Sequence, residues 1–341
     1  MRPLSTTTGN QTGDDCPHRG YLRGVVTGLI DRFIYRYGTG AREVTHARLC
    51  RPAILLRQFV RYGVAGFDEY LDRQASILSR YLHEPHTESL RLARDHAVHL
   101  QLSEYRRGAR EHGKVATSPS LCWPEKSAYR KLIMRDTRSR VVAGYHFGDY
   151  SGGLHCLLNE GENRRQRIVL RDRVPVQTFT SQQQTKAVTT LSGRQFSPLT
   201  TAGLLRRGNT TLTIFCDLPR YYGTSVEVEF LGRRARFPRG PAQIAVFAGA
   251  PILPVICFRT GEGHQLDLHP LIETGVRRGE APSDTVKRLT QQLVKILERY
   301  LYAWPAQWRF LNHLPFYFVD EREQRPMSPE VPEAKVEAQD G

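Results

Sequence analysis

A histidine and an aspartate three residues apart, His146 and Asp149 in "HFGDYSGG", follow directly on the apolar run "VVAGY". A second aspartate, Asp217, follows another apolar run, "TLTIFC". A neutral imidazole at a strand end can take the proton of a hydroxyl while that oxygen attacks an electrophile. It needs a partner on its second nitrogen to fix tautomer and ring orientation. Asp149 in the same turn or Asp217 on a neighbouring strand meets that need, and the residues leave the choice open. A histidine closing a strand also serves as an ordinary hydrogen-bonded turn residue. Further along, Arg233, Arg234, Arg236 and Arg239 lead into Gly240. Arginines beside a helix start suit a phosphate group, and a solvated basic edge is the plain alternative.

These residues need a frame that brings strand ends together. Beyond Pro124, apolar β-branched runs at 140–146, 165–171, 211–216 and 251–259 alternate with helical patterns near 150–159, 182–191, 199–207 and 240–249. That alternation predicts an α/β fold with a mostly parallel central sheet flanked by helices. In such sheets ligands bind beyond the carboxyl ends of the strands, where His146 and Asp217 stand. "SVEVEFLG" and "RARF" predict a hairpin, "LDLHPLI" a further strand, and 283–304 a last helix with Ser283 as its cap. Upstream, 50–112 reads as helical, with Thr87 capping the second stretch. "YLRGVVTGLIDRFIYRYG" has apolar residues at 3-4 spacing and arginines opposite, which suits a helix packed on the core or one lying on a membrane. The expected organisation is a disordered 1–20, a helical region 21–125, an α/β domain 126–318 and a disordered acidic tail 319–341.

The net charge is +15. The last 22 residues contribute −4, which leaves +19 on the remainder. So basic a unit expects an anionic partner. Nucleic acid is disfavoured, because aromatic and basic residues do not interleave and no helix-turn-helix, RNA-recognition or zinc-finger pattern occurs. The six cysteines form no CxxC pair, and a reducing compartment is expected. The four histidines at 83, 86, 96 and 99 lack carboxylates at metal-ligand spacing, so no metal is expected. No 18-residue apolar run or signal-peptide core is present, and no transmembrane helix is predicted.

Four blocks in order resemble the bacterial late lipid A acyltransferases, the lauroyl/myristoyl transferases of the lysophospholipid acyltransferase superfamily. They are "YHFGDYSGG", "FCDLPRYYG", "VEFLGRRARFPRGPAQIAVFAGAPILPV" and "WPAQWRFLNHLP". The resemblance covers about residues 60 to 315. It implies a glycerolipid acyltransferase-like fold and transfer of a fatty acyl group from an acyl-carrier-protein or CoA thioester to a hydroxyl of a membrane lipid. The thioester is a co-substrate, and no cofactor is implied. His146 would be the base. The family places a carboxylate five residues later, where this chain has Ser151, so Asp149 or Asp217 would take that role. Arg239 stands where the family has Thr, and "WRFLNHLP" keeps Arg309 and His313 of a more basic block. The N-terminal spanning helix of the family is replaced by the shorter helix at 21–37.

The resemblance thus implies an O-acyltransferase at the cytosolic face of the inner membrane, held peripherally. Arg233, Arg234, Arg236, Arg239, Gly240 and Ser151 would meet an anionic lipid or the carrier protein. A catalytically impaired lipid- or carrier-binding protein on the same fold is the alternative that Ser151 raises.

Overall fold

The computed structural model describes residues 25–34, 43–111, 121–122, 136–159, 166–171, 188–192, 197–220, 223–260 and 263–320. The expected disordered 1–20, the tail beyond 320 and the part of the predicted helix over 182–187 lie outside them.

The helices are α1 (25–34), α2 (Glu43–Leu82), α3 (His86–Glu111), α4 (Tyr150–Asn159), α5 (Pro198–Arg206), α6 (Gly240–Ala248) and α7 (Pro282–Ala303). The strands are β1 (Leu121–Cys122), β2 (Arg140–Gly144), β3 (Gln166–Arg171), β4 (Val188–Ser192), β5 (Thr210–Phe215), β6 (Ser225–Phe230), β7 (Arg233–Pro238), β8 (Ile252–Thr260) and β9 (Gly263–Leu268). Seven strands form one sheet in the order β1-β9-β8-β2-β5-β3-β4. Every pairing is parallel except β8 with β9. This is the expected α/β architecture. β6 and β7 form a separate antiparallel hairpin, which turns at Leu231–Gly232 with both residues at positive φ and packs on α7.

Period-two burial explains the layers. Val141, Ala143 and Tyr145 enter the large core with Ile252, Ile256 and Phe258. Val142 faces the other way with Leu253, Val255, Cys257 and Leu266, under Leu157 of α4. Burying side chains of this size contributes about 1.5–3 kcal/mol each. On the large-core side α7 buries its predicted stripe, Val286, Leu289, Leu293, Ile296, Leu297, Tyr300 and Leu301. α1 is fixed to α2 and α3 through Ile30, Ile34, Cys50, Ile54, Val98 and Leu102.

Three local expectations are corrected. Part of the predicted helix 182–191 is strand β4, where Val188, Thr189 and Thr190 favour extended backbone. Ala281, with Pro282 as the first helical residue, caps α7, so Ser283 lies inside the helix. α3 begins at His86, one residue ahead of Thr87. The long helix α2 is broken at Gly63, whose φ of 72° and ψ of 166° are non-helical.

Candidate active site

β2 and β5 lie side by side, with Gly144 opposite Phe215. His146 and Asp217 each follow two residues later, so the register alone brings them together. The ladder extends by one bond, Cys216 N–H to Gly144 O at 3.0 Å. Gly144 leaves room for the Phe215 ring, which a Cβ there would meet at 3.2 Å. That ring stacks on the imidazole with centroids 3.9 Å apart. Tyr150 and Phe310 approach the imidazole edge-on at 4.8 and 5.1 Å.

The His146 Nδ1 lies 2.8 Å from Asp217 Oδ1, and the His146 backbone N–H donates to Oδ2 at 2.7 Å. Trp308 Nε1 also donates to Oδ2, at 2.9 Å. Tyr317 Oη donates to the Asp217 carbonyl at 2.6 Å. Asp217 is completely buried, whereas the His146 side chain keeps 13% of its surface. An ionised carboxylate only accepts, so Nδ1 carries the proton and Nε2 the lone pair. So held, a neutral ring presents Nε2 as a group that can accept a proton.

Asp149 has a different environment. It is 1% exposed, its Oδ1 accepts Gly152 N–H at 3.1 Å, and its carbonyl accepts Gly153 N–H. It caps α4, as Asp does at helix starts. Of the two candidate carboxylates, Asp217 holds the ring. Ser151 follows in the first turn of α4. Gly148 has φ +55°, and a Cβ there would lie 2.5 Å from Cys257 O, so only glycine fits. Its N–H donates to Gln307 O at 3.0 Å.

The four arginines are spread out rather than convergent. Arg233 stacks over Tyr81 and Phe318 at 5.1 and 4.6 Å. Arg234 pairs with Glu227 at 2.6 Å. Arg236 and Arg239 are exposed, and Arg239 precedes α6. Gly240 opens that helix beside Ile214 of β5, whose Cδ1 a Cβ added at Gly240 would meet at 3.8 Å.

An apolar crevice runs from the imidazole's neighbours Phe215 and Tyr150 between the sheet and α4, past Leu154, Leu157, Val255, Cys257 and Leu266. It is narrow, with a cavity volume of about 20 Å³. Gly153 keeps it clear, because a Cβ there would meet Cys257 Cβ at 2.9 Å. A second cleft of about 450 Å³ lies between α3 and the end of α7, with Arg51, Arg91, Asp95, Arg259 and Trp304 on its walls. Two of its arginines, Arg51 and Arg91, already pair with Asp95 at 2.6 and 2.9 Å. Among the described residues no cluster of metal-binding side chains occurs, and no helix is long and apolar enough to cross a membrane. Trp308, Tyr317, Phe215 and Tyr150 are site residues that the sequence did not single out for a role. Tyr150, Phe215 and Trp308 lie in quoted blocks, which was the one available signal, and Tyr317 lies beyond them.

The fold and the couple together describe an α/β protein with an imidazole–carboxylate pair at the carboxyl edge of a parallel sheet, beside an apolar crevice. Residues 186–314 match the family model described as bacterial lipid A biosynthesis acyltransferase. That segment holds Asp217, the arginines, Gly240 and Trp308, and His146 lies ahead of it. The chain is 32% identical over 137 residues to a phosphatidylinositol mannoside acyltransferase of Mycobacterium tuberculosis, covering 40% of each chain. It is 31% identical over 109 residues to a protein of the same name from Mycolicibacterium smegmatis, covering 32% of each. The matches thus span two-fifths or less of these relatives' length. With the fold, they support the lipid A acyltransferase-like family for this chain.

Proposed function

We propose that this protein transfers a fatty acyl group from an acyl thioester, on carrier protein or CoA, to a hydroxyl of a membrane lipid or lipid-like acceptor. The observation that carries this reading is the His146–Asp217 couple beside an apolar crevice. The acceptor oxygen attacks the thioester carbonyl while its proton passes to His146 Nε2. Asp217 stabilises the imidazolium that forms. The tetrahedral intermediate collapses, the C–S bond breaks, and the imidazolium returns its proton to the thiolate. Widened by side-chain movement, the crevice takes the acyl chain. The start of α6 at Gly240 offers backbone N–H groups to the oxyanion, and Arg236 and Arg239 offer charge to an anionic headgroup or an acidic carrier. The name of these relatives, phosphatidylinositol mannoside acyltransferase, supports a glycolipid acceptor.

His146→Ala should lower acyl transfer by about 10³-fold or more with the melting temperature preserved. Equal turnover in parent and variant would end this reading. The impaired-binder alternative rests on Ser151, and the Asp217 partnership speaks against it. Activity that appears only in Ser151→Glu would favour it.

The same reading holds the protein at the cytosolic face of a membrane. α1 exposes Val25, Val26, Leu29 and Phe33 while burying Ile30 and Ile34, and the charge of +15 favours anionic lipid. Leu29→Ser with Phe33→Ser should weaken co-sedimentation with phosphatidylglycerol vesicles several-fold. Undiminished sedimentation would count against α1 as the contact.

A further inference from the structure

We propose that Trp308 is a positioning residue for the imidazole–carboxylate couple, setting the charge and orientation of Asp217. This rests on the reading of His146 as the base. Asp217 Oδ2 accepts two neutral N–H groups, from the His146 backbone at 2.7 Å and the indole at 2.9 Å. Oδ1 is thereby directed to the ring, 2.8 Å away. The indole restrains the carboxylate against rotation about Cβ–Cγ and disperses its charge inside a fully buried site.

The indole reaches Asp217 because its backbone is stitched to the histidine loop. Phe147 and Trp308 form an antiparallel bridge. On either side, Gly148 N–H donates to Gln307 O at 3.0 Å and Arg309 N–H to His146 O at 2.9 Å. The Arg309 side chain pairs with Glu104 of α3, which also holds Arg107. Tyr317, at the end of the 3₁₀ segment Leu311–Tyr317, fixes the Asp217 carbonyl at 2.6 Å. The segment 307–317 therefore acts as a clasp that grips both members of the couple.

Removing the indole donor leaves Oδ2 with one partner and concentrates charge on the carboxylate. Its pull on an imidazolium then strengthens. The test is ¹⁵N NMR of the full chain with labelled histidine, with the His146 signal assigned by its loss in His146→Gln. In Trp308→Phe the pH at which the His146 ring titrates should rise by about half a unit or more. The turnover rate should fall about ten-fold with KM within two-fold, and Trp308→Gln, which keeps an N–H donor, should recover part of it. A folded Trp308→Phe in which His146 titrates as in the parent would overturn the proposal. If that variant does not fold, Tyr317→Phe decides. It should lower the share of the Nδ1–H tautomer, and an unchanged tautomer would overturn the role of the clasp. A shifted titration with parental turnover in His146→Ala would keep the positioning role and remove the acyl-transfer reading.

Discussion

Two buried regions of this molecule hold histidines and treat them in opposite ways. At the carboxyl edge of the sheet, His146 has a carboxylate on Nδ1 and keeps an exposed margin. In the layer formed by α3 and the chain end, His96 and His313 are pushed down to about 4 and His99 to about 3. Loss of solvent is the largest cause in each case, and neighbouring cationic groups add to it. The cations are Arg309 beside His96 and His313, and Arg106 and Arg259 beside His99. His96 has a backbone partner, Ala306 O at 3.2 Å, which only partly offsets this. Burial makes a histidine inert unless a carboxylate is built beside it. The aspartates divide similarly: Asp149 and Asp217 are equally hidden, yet one closes a helix end and the other serves the ring.

The sharpest way to break this contrast is to exchange the roles of the two carboxylates. Asp217→Asn should lower acyl transfer by about 10²–10⁴-fold, because the ring loses its tautomer and its counter-charge. Asp149→Ala should mainly weaken the α4 cap, by about 1 kcal/mol in denaturant unfolding, with an activity loss at least ten-fold smaller than that of Asp217→Asn. A reversed ranking would return the orienting role to Asp149. A smaller effect tests the histidines of the helical layer. Their folded values lie below the ordinary histidine range, so the unfolded chain binds more protons between about pH 6.5 and 4. Stability therefore falls as pH drops through that window. For His96 alone the loss is roughly 3 kcal/mol when fully developed. His96→Gln should flatten the pH dependence of urea unfolding by about one proton, and an unaltered slope would contradict the neutral assignment.

Much of this frame was legible in the chain. The β-branched runs gave β2, β5 and β8, and the apolar stripe gave α7. His146 and Asp217 stood out because each follows a buried strand. Their pairing was one of two open alternatives, and the choice of Asp217 over Asp149 was not legible, since it depends on β5 returning to lie beside β2 after β3 and β4 have been laid outward. That order is set by how the layers pack, and no local spacing encodes it. Tyr317 carried no signal, because its hydroxyl becomes informative only when the chain end folds over Asp217. The helix expected over 182–191 failed where β-branched residues prevailed over polar neighbours. The cap of α7 moved two residues because Pro282 already has the backbone angle that starts a helix.

The register that sets Gly144 opposite Phe215 carries one more consequence. The His146–Asp217 pair inherits its spacing from main-chain hydrogen bonds of the sheet interior, not from a loop able to open independently. Chemistry and architecture should therefore share one cooperative transition, with catalytic competence lost on heating no earlier than amide protection in β2 and β5.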